Sequence, residues 1–149
     1  MKLYIGIDPG ASGGMAAIAE DGELVSVQKY TTDDEAVKWV ESFLPWKPTV
    51  ALELVGGFIA GAKLPGSSMF KLGRSFGFFQ GVVMASRIPL HLVRPQKWQA
   101  GIPGLKGIKD SARKRKLKEH AIRLYPKSNA TLATSDAILI ADWARREGL

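Results

Sequence analysis

One stretch constrains this chain more than any other. Residues 49–55 read TVALELV, apolar apart from the first residue and Glu53. A run this short and this apolar suits a strand buried on both faces at the centre of a sheet. Such a strand needs helices above and below it, and the flanking sequence provides them. Residues 33–43 place Ala36, Val37, Val40 and Phe43 at helical spacing, with acids in the first turn and Pro45 and Pro48 beyond the end. Residues 67–86 predict the longest helix, capped by a serine near its start, with Met69, Leu72, Phe76, Phe79 and Val83 on one face.

The remaining elements follow the same logic. Segments 2–7, 14–19 and 24–29 predict three strands with short turns, and the EDGE at 20–23 predicts a hairpin whose Asp-Gly adopts a primed turn. Residues 56–66 are Gly-rich and read as a loop. Residues 90–93 predict a fifth strand, 94–108 a loop with a short helical turn, and 109–125 and 135–147 the last two helices. The order β-β-β-α-β-α-β-α-α predicts an α/β fold: a mixed five-stranded sheet, with three antiparallel strands leading into parallel crossovers and helices on both faces. Ligands in such sheets sit at the carboxyl ends of the parallel strands. The 149 residues suit one domain with a single core.

Glycines 73, 77 and 81 recur every four residues inside the long predicted helix. Each costs about 1 kcal/mol relative to alanine there. The spacing predicts that a sheet, a second helix or a partner subunit packs very close.

Three carboxylates stand out. Asp8 ends the first strand, just before Pro9-Gly10, a pair that fits a type II turn with Asp in first position. Glu53 lies among apolar neighbours, where an unpaired charge is expensive, so it should be ion-paired, metal-bound or protonated. Strand alternation puts Gly6 on the face of Asp8 and Ala51 on the face of Glu53. These small neighbours predict room above the sheet for a metal or phosphate. Asp136 opens the last helix, in a first-turn position that also suits the helix dipole. Asp142, six positions on, lies about 240° around that helix and should be solvated or salt-bridged. An all-oxygen cluster of Asp8, Glu53 and Asp136 suits Mg²⁺ or Mn²⁺, and two such ions can carry out phosphodiester hydrolysis.

Charge points the same way. Lys and Arg total 21 against 14 Asp and Glu, a formal charge of +7 that favours polyanions. The excess is concentrated from Lys106 to Lys127. Lys109, Arg113, Lys116, His120, Arg123 and Lys127 recur at steps of three and four and line one face if the helix continues past 125 to Lys127, beside an apolar face marked by Leu117, Ala121 and Leu124. Phosphate contacts of this kind give salt-sensitive affinity without reading sequence. The chain contains no cysteine, which excludes disulfides, zinc–thiolate sites and thiol catalysis and fits a reducing cytoplasm. No apolar run is long enough to span a membrane, and the N-terminus lacks the pattern of a secretion signal.

These residues resemble the RuvC-type Holliday-junction resolvases of the RNase H-like nuclease superfamily, above all their short phage versions. GIDPG with Asp8, ALELV with Glu53, MFKLGRSFGFFQGVV, IPLHLVRPQKWQ and SDAILIADW with Asp136 match the family's motifs in order, over nearly the whole chain. The resemblance implies a homodimer with the 67–86 helix as its interface, two Mg²⁺ ions replaceable by Mn²⁺, and four-way junctions or other branched DNA as substrate. It implies the cytoplasm of a bacterial cell or of a phage-infected host. Asp8, Glu53 and Asp136 would be catalytic and hold the metal. Lys106, Lys109, Arg113, Lys114 and Lys116 would bind DNA, with Lys114 near the scissile phosphate and Phe58 stacking on bases. One departure matters: the family commonly has another acid where Ala133 stands, so a serine, a water or an unexpected acid would complete the ligand set. Flap or RNA–DNA hybrid cleavage stays open, as does a non-catalytic junction-binding role. A sugar-kinase or actin-like ATPase, suggested by GIDPGASGG, would need a second domain and a second phosphate loop.

Overall fold

A computed structural model describes residues 1–56 and 65–149. Its five strands are β1 (Leu3–Asp8), β2 (Gly14–Ala19), β3 (Leu24–Lys29), β4 (Thr49–Glu53) and β5 (Leu90–Val93). They form one sheet in the order β3-β2-β1-β4-β5, with β1, β2 and β3 antiparallel and β4 and β5 parallel to β1. Helices α1 (Asp33–Ser42) and α2 (Gly66–Ala85) cover one face; α3 (Pro95–Trp98), α4 (Asp110–Leu124) and α5 (Ser135–Glu147) cover the other. This is the RNase H-like architecture that the sequence predicts.

The apolar run behaves as expected of a central strand. Val50, Ala51 and Leu52 are wholly buried, with Val50 and Leu52 in the core on the α1/α2 side and Ala51 in the core on the α5 side. The strand stops at Glu53, two residues earlier than the hydropathy suggests. Its register with β1 pairs Ile7 with Leu52, so the next residues, Asp8 and Glu53, finish adjacent parallel strands side by side.

Three local expectations are corrected. The 20–23 hairpin is not a primed turn. Neither Glu20 nor Asp21 has positive φ, the Gly22 N–H donates to the Ala19 carbonyl at 2.9 Å, and Gly22 alone takes φ 94°. That is a type I turn followed by a glycine bulge, and the β2–β3 register shifts beside it. After Asp8, Gly10 has the expected positive φ, but the hydrogen-bonded turn runs from Gly10 to Gly13. At the start of α2 no serine caps the helix; Pro65 holds that position, and its carbonyl accepts from the Ser68 N–H at 2.9 Å.

The fourth correction sets the site. The space above Gly6 holds protein. A Cβ built there would lie 2.2 Å from the Ala137 carbonyl oxygen and 2.3 Å from the Ala141 nitrogen. The small residues Gly6, Ala16 and Ala51 therefore let α5 lie directly on the sheet, and residues 137–144 of that helix are all buried.

Candidate active site

The close seat of α5 positions Asp136, in its first turn, over the carboxyl ends of β1 and β4. Asp8, Glu53 and Asp136 are each half-buried. Burial is the main reason all three hold protons more tightly than usual. It raises Asp8 well above the carboxylate range, reinforced by the charges of Asp136 and Glu53. It raises Glu53 to about 7, with Asp136 adding to the effect, and Asp136 to about 6. Carboxylates that shift one another in this way are neighbours in space. The Lys114 charge acts in the opposite sense on all three. The predicted acids and one predicted lysine therefore meet at one place.

The turn after Asp8 is held from outside. Ser75 on α2 is buried, and its Oγ accepts from the Gly10 N–H at 2.8 Å. Gly13 passes so close that a Cβ on it would lie 2.0 Å from the Asp8 carbonyl oxygen. Glu53 is held as well. Its Oε2 accepts a 2.7 Å hydrogen bond from the indole N–H of Trp98. Neither Ser75 nor Trp98 figured among the sequence candidates. The one available sign for Trp98 was a large apolar residue in a polar segment just after the fifth strand.

A hard divalent cation suits the donor set. Three carboxylates share partly desolvated surroundings in which burial, and at Asp8 and Glu53 the charge of Asp136, holds their protons, and a cation would replace those protons. Among the described residues, however, no three acids or histidines converge closely enough to clasp an ion as they stand. Position 133 lies against the site's rim, since a Cβ on Gly14, the partner of Asp8 across the strand pair, would sit 2.9 Å from the Ala133 carbonyl oxygen. Ser135 donates its hydroxyl proton to the Thr131 carbonyl. Asp142 is salt-bridged as expected but buried rather than solvated. It accepts from Tyr125 at 2.6 Å, Arg145 at 3.1 Å and Arg146 at 2.8 Å, tying α4 to α5.

The basic helix has more than one side. Lys106, Lys109, Lys114 and Lys116 are exposed. Arg113 turns inward: its guanidinium donates to Gln99 Oε1 at 2.9 Å and to the carbonyls of Leu105 and Ile108 at 3.2 and 3.3 Å, pinning the loop before α4. At 100° per residue Lys116 stands about 200° from Lys114. It is salt-bridged to Glu119 at 3.6 Å, and with Glu119, His120 and Arg123 it lines an open depression of about 400 Å³ on the flank turned away from Lys114. Lys127 lies beyond the helix end. Phe58 lies outside the described residues. Among the described residues, no helix is long and apolar enough to cross a membrane.

No protein-family model and no curated protein matches this sequence. Solved structures do match. The chain is similar to Thermus thermophilus RuvC in complex with a Holliday junction substrate, with TM-score 0.66 and 17% identity over 99% of this chain and 97% of that one. A second Thermus thermophilus RuvC structure gives 0.64 and 18% over 98% and 96%. The fowlpox virus resolvase, in complex with Holliday junction DNA, gives 0.53 and 14% over 99% of both chains. The chain shares their fold from end to end.

Proposed function

We propose that this chain, with the fold of the RuvC resolvases, is a divalent-metal-dependent endonuclease that cuts branched DNA, four-way junctions above all. One observation carries the reading: three partly buried carboxylates, from β1, β4 and α5, gather beside Lys114 at the carboxyl ends of the parallel strands. Asp8, Glu53 and Asp136 would hold Mg²⁺ or Mn²⁺, in the two-ion form a pair of cations that activates a water and stabilises the leaving oxygen. Lys114 compensates the negative charge of a phosphate brought up to three acids. Exposed Lys106 and Lys109 hold the flanking backbone, and Arg113 supports them by fixing the loop that leads into α4.

Cutting a four-way junction symmetrically takes two sites, so the working unit in this reading is a homodimer. Helix α2 supplies a face for it. Gly73, Gly77 and Gly81 are exposed, a Cβ on any of them would meet nothing within 4 Å, and Phe70 and Met84, 73% and 60% exposed, flank them. Close helix–helix approach is what such a stripe permits, and among the described residues nothing occupies it.

The test is nicking of a synthetic four-way junction beside flap, duplex and hybrid substrates, in Mg²⁺ and in Mn²⁺. Asp8→Asn should lose at least about 10³-fold in cleavage while still binding the junction. An Asp8→Asn protein that cleaves normally would overturn the mechanism. A wild-type protein that binds junctions and nicks nothing in either metal would instead be a junction-binding protein, the reading that Ala133 favours.

A further inference from the structure

We propose that Trp98 is a positioning residue for Glu53: its indole N–H claims Oε2, fixes the orientation of the carboxylate, and leaves Oε1 as the oxygen offered to a cation. The proposal rests on the metal-binding reading of Glu53. Its basis is geometric. Trp98 has no exposed surface, so its N–H has no access to water and must find a partner inside the protein. The partner it has is the Glu53 carboxylate, at 2.7 Å. Oε1 accepts no hydrogen bond from the described residues.

The local fold delivers the tryptophan to this point. Val93 ends β5 in register with Glu53, and its carbonyl accepts from the Leu54 N–H at 2.8 Å. Pro95 then starts α3, a single turn that ends at Trp98. The indole enters the core that contains Ala51, the small residue on the Glu53 face, and the buried residues of α5. The ring is thus fixed by apolar packing on the side from which α5 presents Asp136. A rigid donor behind a flexible three-torsion carboxylate is the arrangement by which outer groups orient metal ligands, and losing one typically costs about 10–100-fold in metal affinity.

The experiment compares two buried tryptophans. Trp39, on the opposite face of the sheet, donates its N–H to Ser26 Oγ at 3.1 Å and touches none of the three acids. Trp98→Phe and Trp39→Phe each remove one indole N–H from a core. Mn²⁺ affinity is measured by calorimetry, without DNA. Trp98→Phe should weaken it at least about 10-fold and Trp39→Phe should leave it within about twofold. Equal affinities for wild type and Trp98→Phe, or equal losses in both variants, would overturn the proposal. Should Trp98→Phe fail to fold, the wild-type protein gives the answer by NMR. The Trp98 indole proton, assigned through bonds, should shift on Mg²⁺ titration with the calorimetric midpoint while those of Trp39, Trp46 and Trp143 stay in place. An unmoved Trp98 signal in a protein that binds Mg²⁺ overturns the positioning role alone. A protein that binds neither ion overturns the metal reading, and this proposal with it.

Discussion

Helices α5 and α2 carry the same kind of sequence signal and use it in opposite ways. Both present small residues at helical spacing. On α5 the alanines at 137, 141 and 144 are buried, and the backbone between them meets Gly6 at distances no Cβ tolerates. On α2 the glycines at 73, 77 and 81 face open space, and only Ser75, Phe79 and Val83 are buried. Small residues license close approach without naming the partner. The partner is decided by the run of residues around them: on α5 the stretch 137–144 is apolar but for Asp142 and wholly buried, so the helix sinks into the fold, whereas α2 buries one edge and leaves the glycine edge exposed.

The sharpest break of this contrast is at Gly6. Gly6→Ala drives a methyl into the backbone of α5, where neither the Ala137 carbonyl nor the Ala141 amide can move without shifting the helix. Overpacking against backbone should cost about 3 kcal/mol or more, a large part of a total of about 5–15 kcal/mol. Urea denaturation checks it. A Gly6→Ala protein as stable as wild type would mean that α5 is not seated as described.

A second, smaller effect comes from what α5 delivers. Burial at the site, with the charge of Asp136 adding to it at Asp8 and Glu53, raises all three pKa values. Glu53 moves from 4.5 to about 7 and Asp136 from 3.8 to about 6. Below these unfolded values both states are protonated and folding suffers no penalty. As pH rises through the window, the unfolded chain loses protons that the native state keeps, so native stability falls. His120 works against this: burial lowers its pKa below 6.5, so its effect below that value has the opposite sign, one group against the cluster. A pKa raised by one costs about 1.4 kcal/mol, to be discounted here for partial exposure. Without metal, stability should therefore drop by about 2–3 kcal/mol between about pH 5 and pH 8. Mg²⁺ should restore it at the alkaline end, and Asp8→Asn should flatten the dependence. Thermal melts across that range decide it; a metal-free protein that grows more stable from the acid end to the alkaline end would contradict the clustering of the acids.

Much of this was legible in the residues. The TVALELV run pointed to a central strand, and the acids at the ends of two such strands pointed to one edge of the sheet. Side-chain size is the ambiguous signal. Gly6 and Ala51 mark room, and the sequence cannot say whether a ligand or a helix fills it; here α5 does. The basic stripe was only partly legible for a similar reason. Periodicity places Arg113 with Lys116 and His120, but carbonyl oxygens from a loop earlier in the chain draw the guanidinium inward, and loop carbonyls leave no trace in side-chain pattern. Trp98 and Ser75 escaped because each acts through one hydrogen bond across 45 or more residues of sequence.

The gentlest probe tests the other half of the contrast. Gly77→Ala adds a methyl where nothing lies within 4 Å, so within one molecule it meets no obstacle. Helix propensity alone should then stabilise the monomer by about 1 kcal/mol. If two copies of α2 cross at the glycines, the same methyl separates their backbones, and the dimer should dissociate at least about tenfold more readily, equivalent to about 1.4 kcal/mol. The two effects have opposite signs and separate by concentration: a higher urea midpoint in dilute protein, and a weaker self-association by sedimentation in concentrated protein. A gain in stability with unchanged association would move the partner surface off this face of α2. A loss of stability in dilute protein would mean that something in the chain already fills the stripe, and the difference from α5 would disappear.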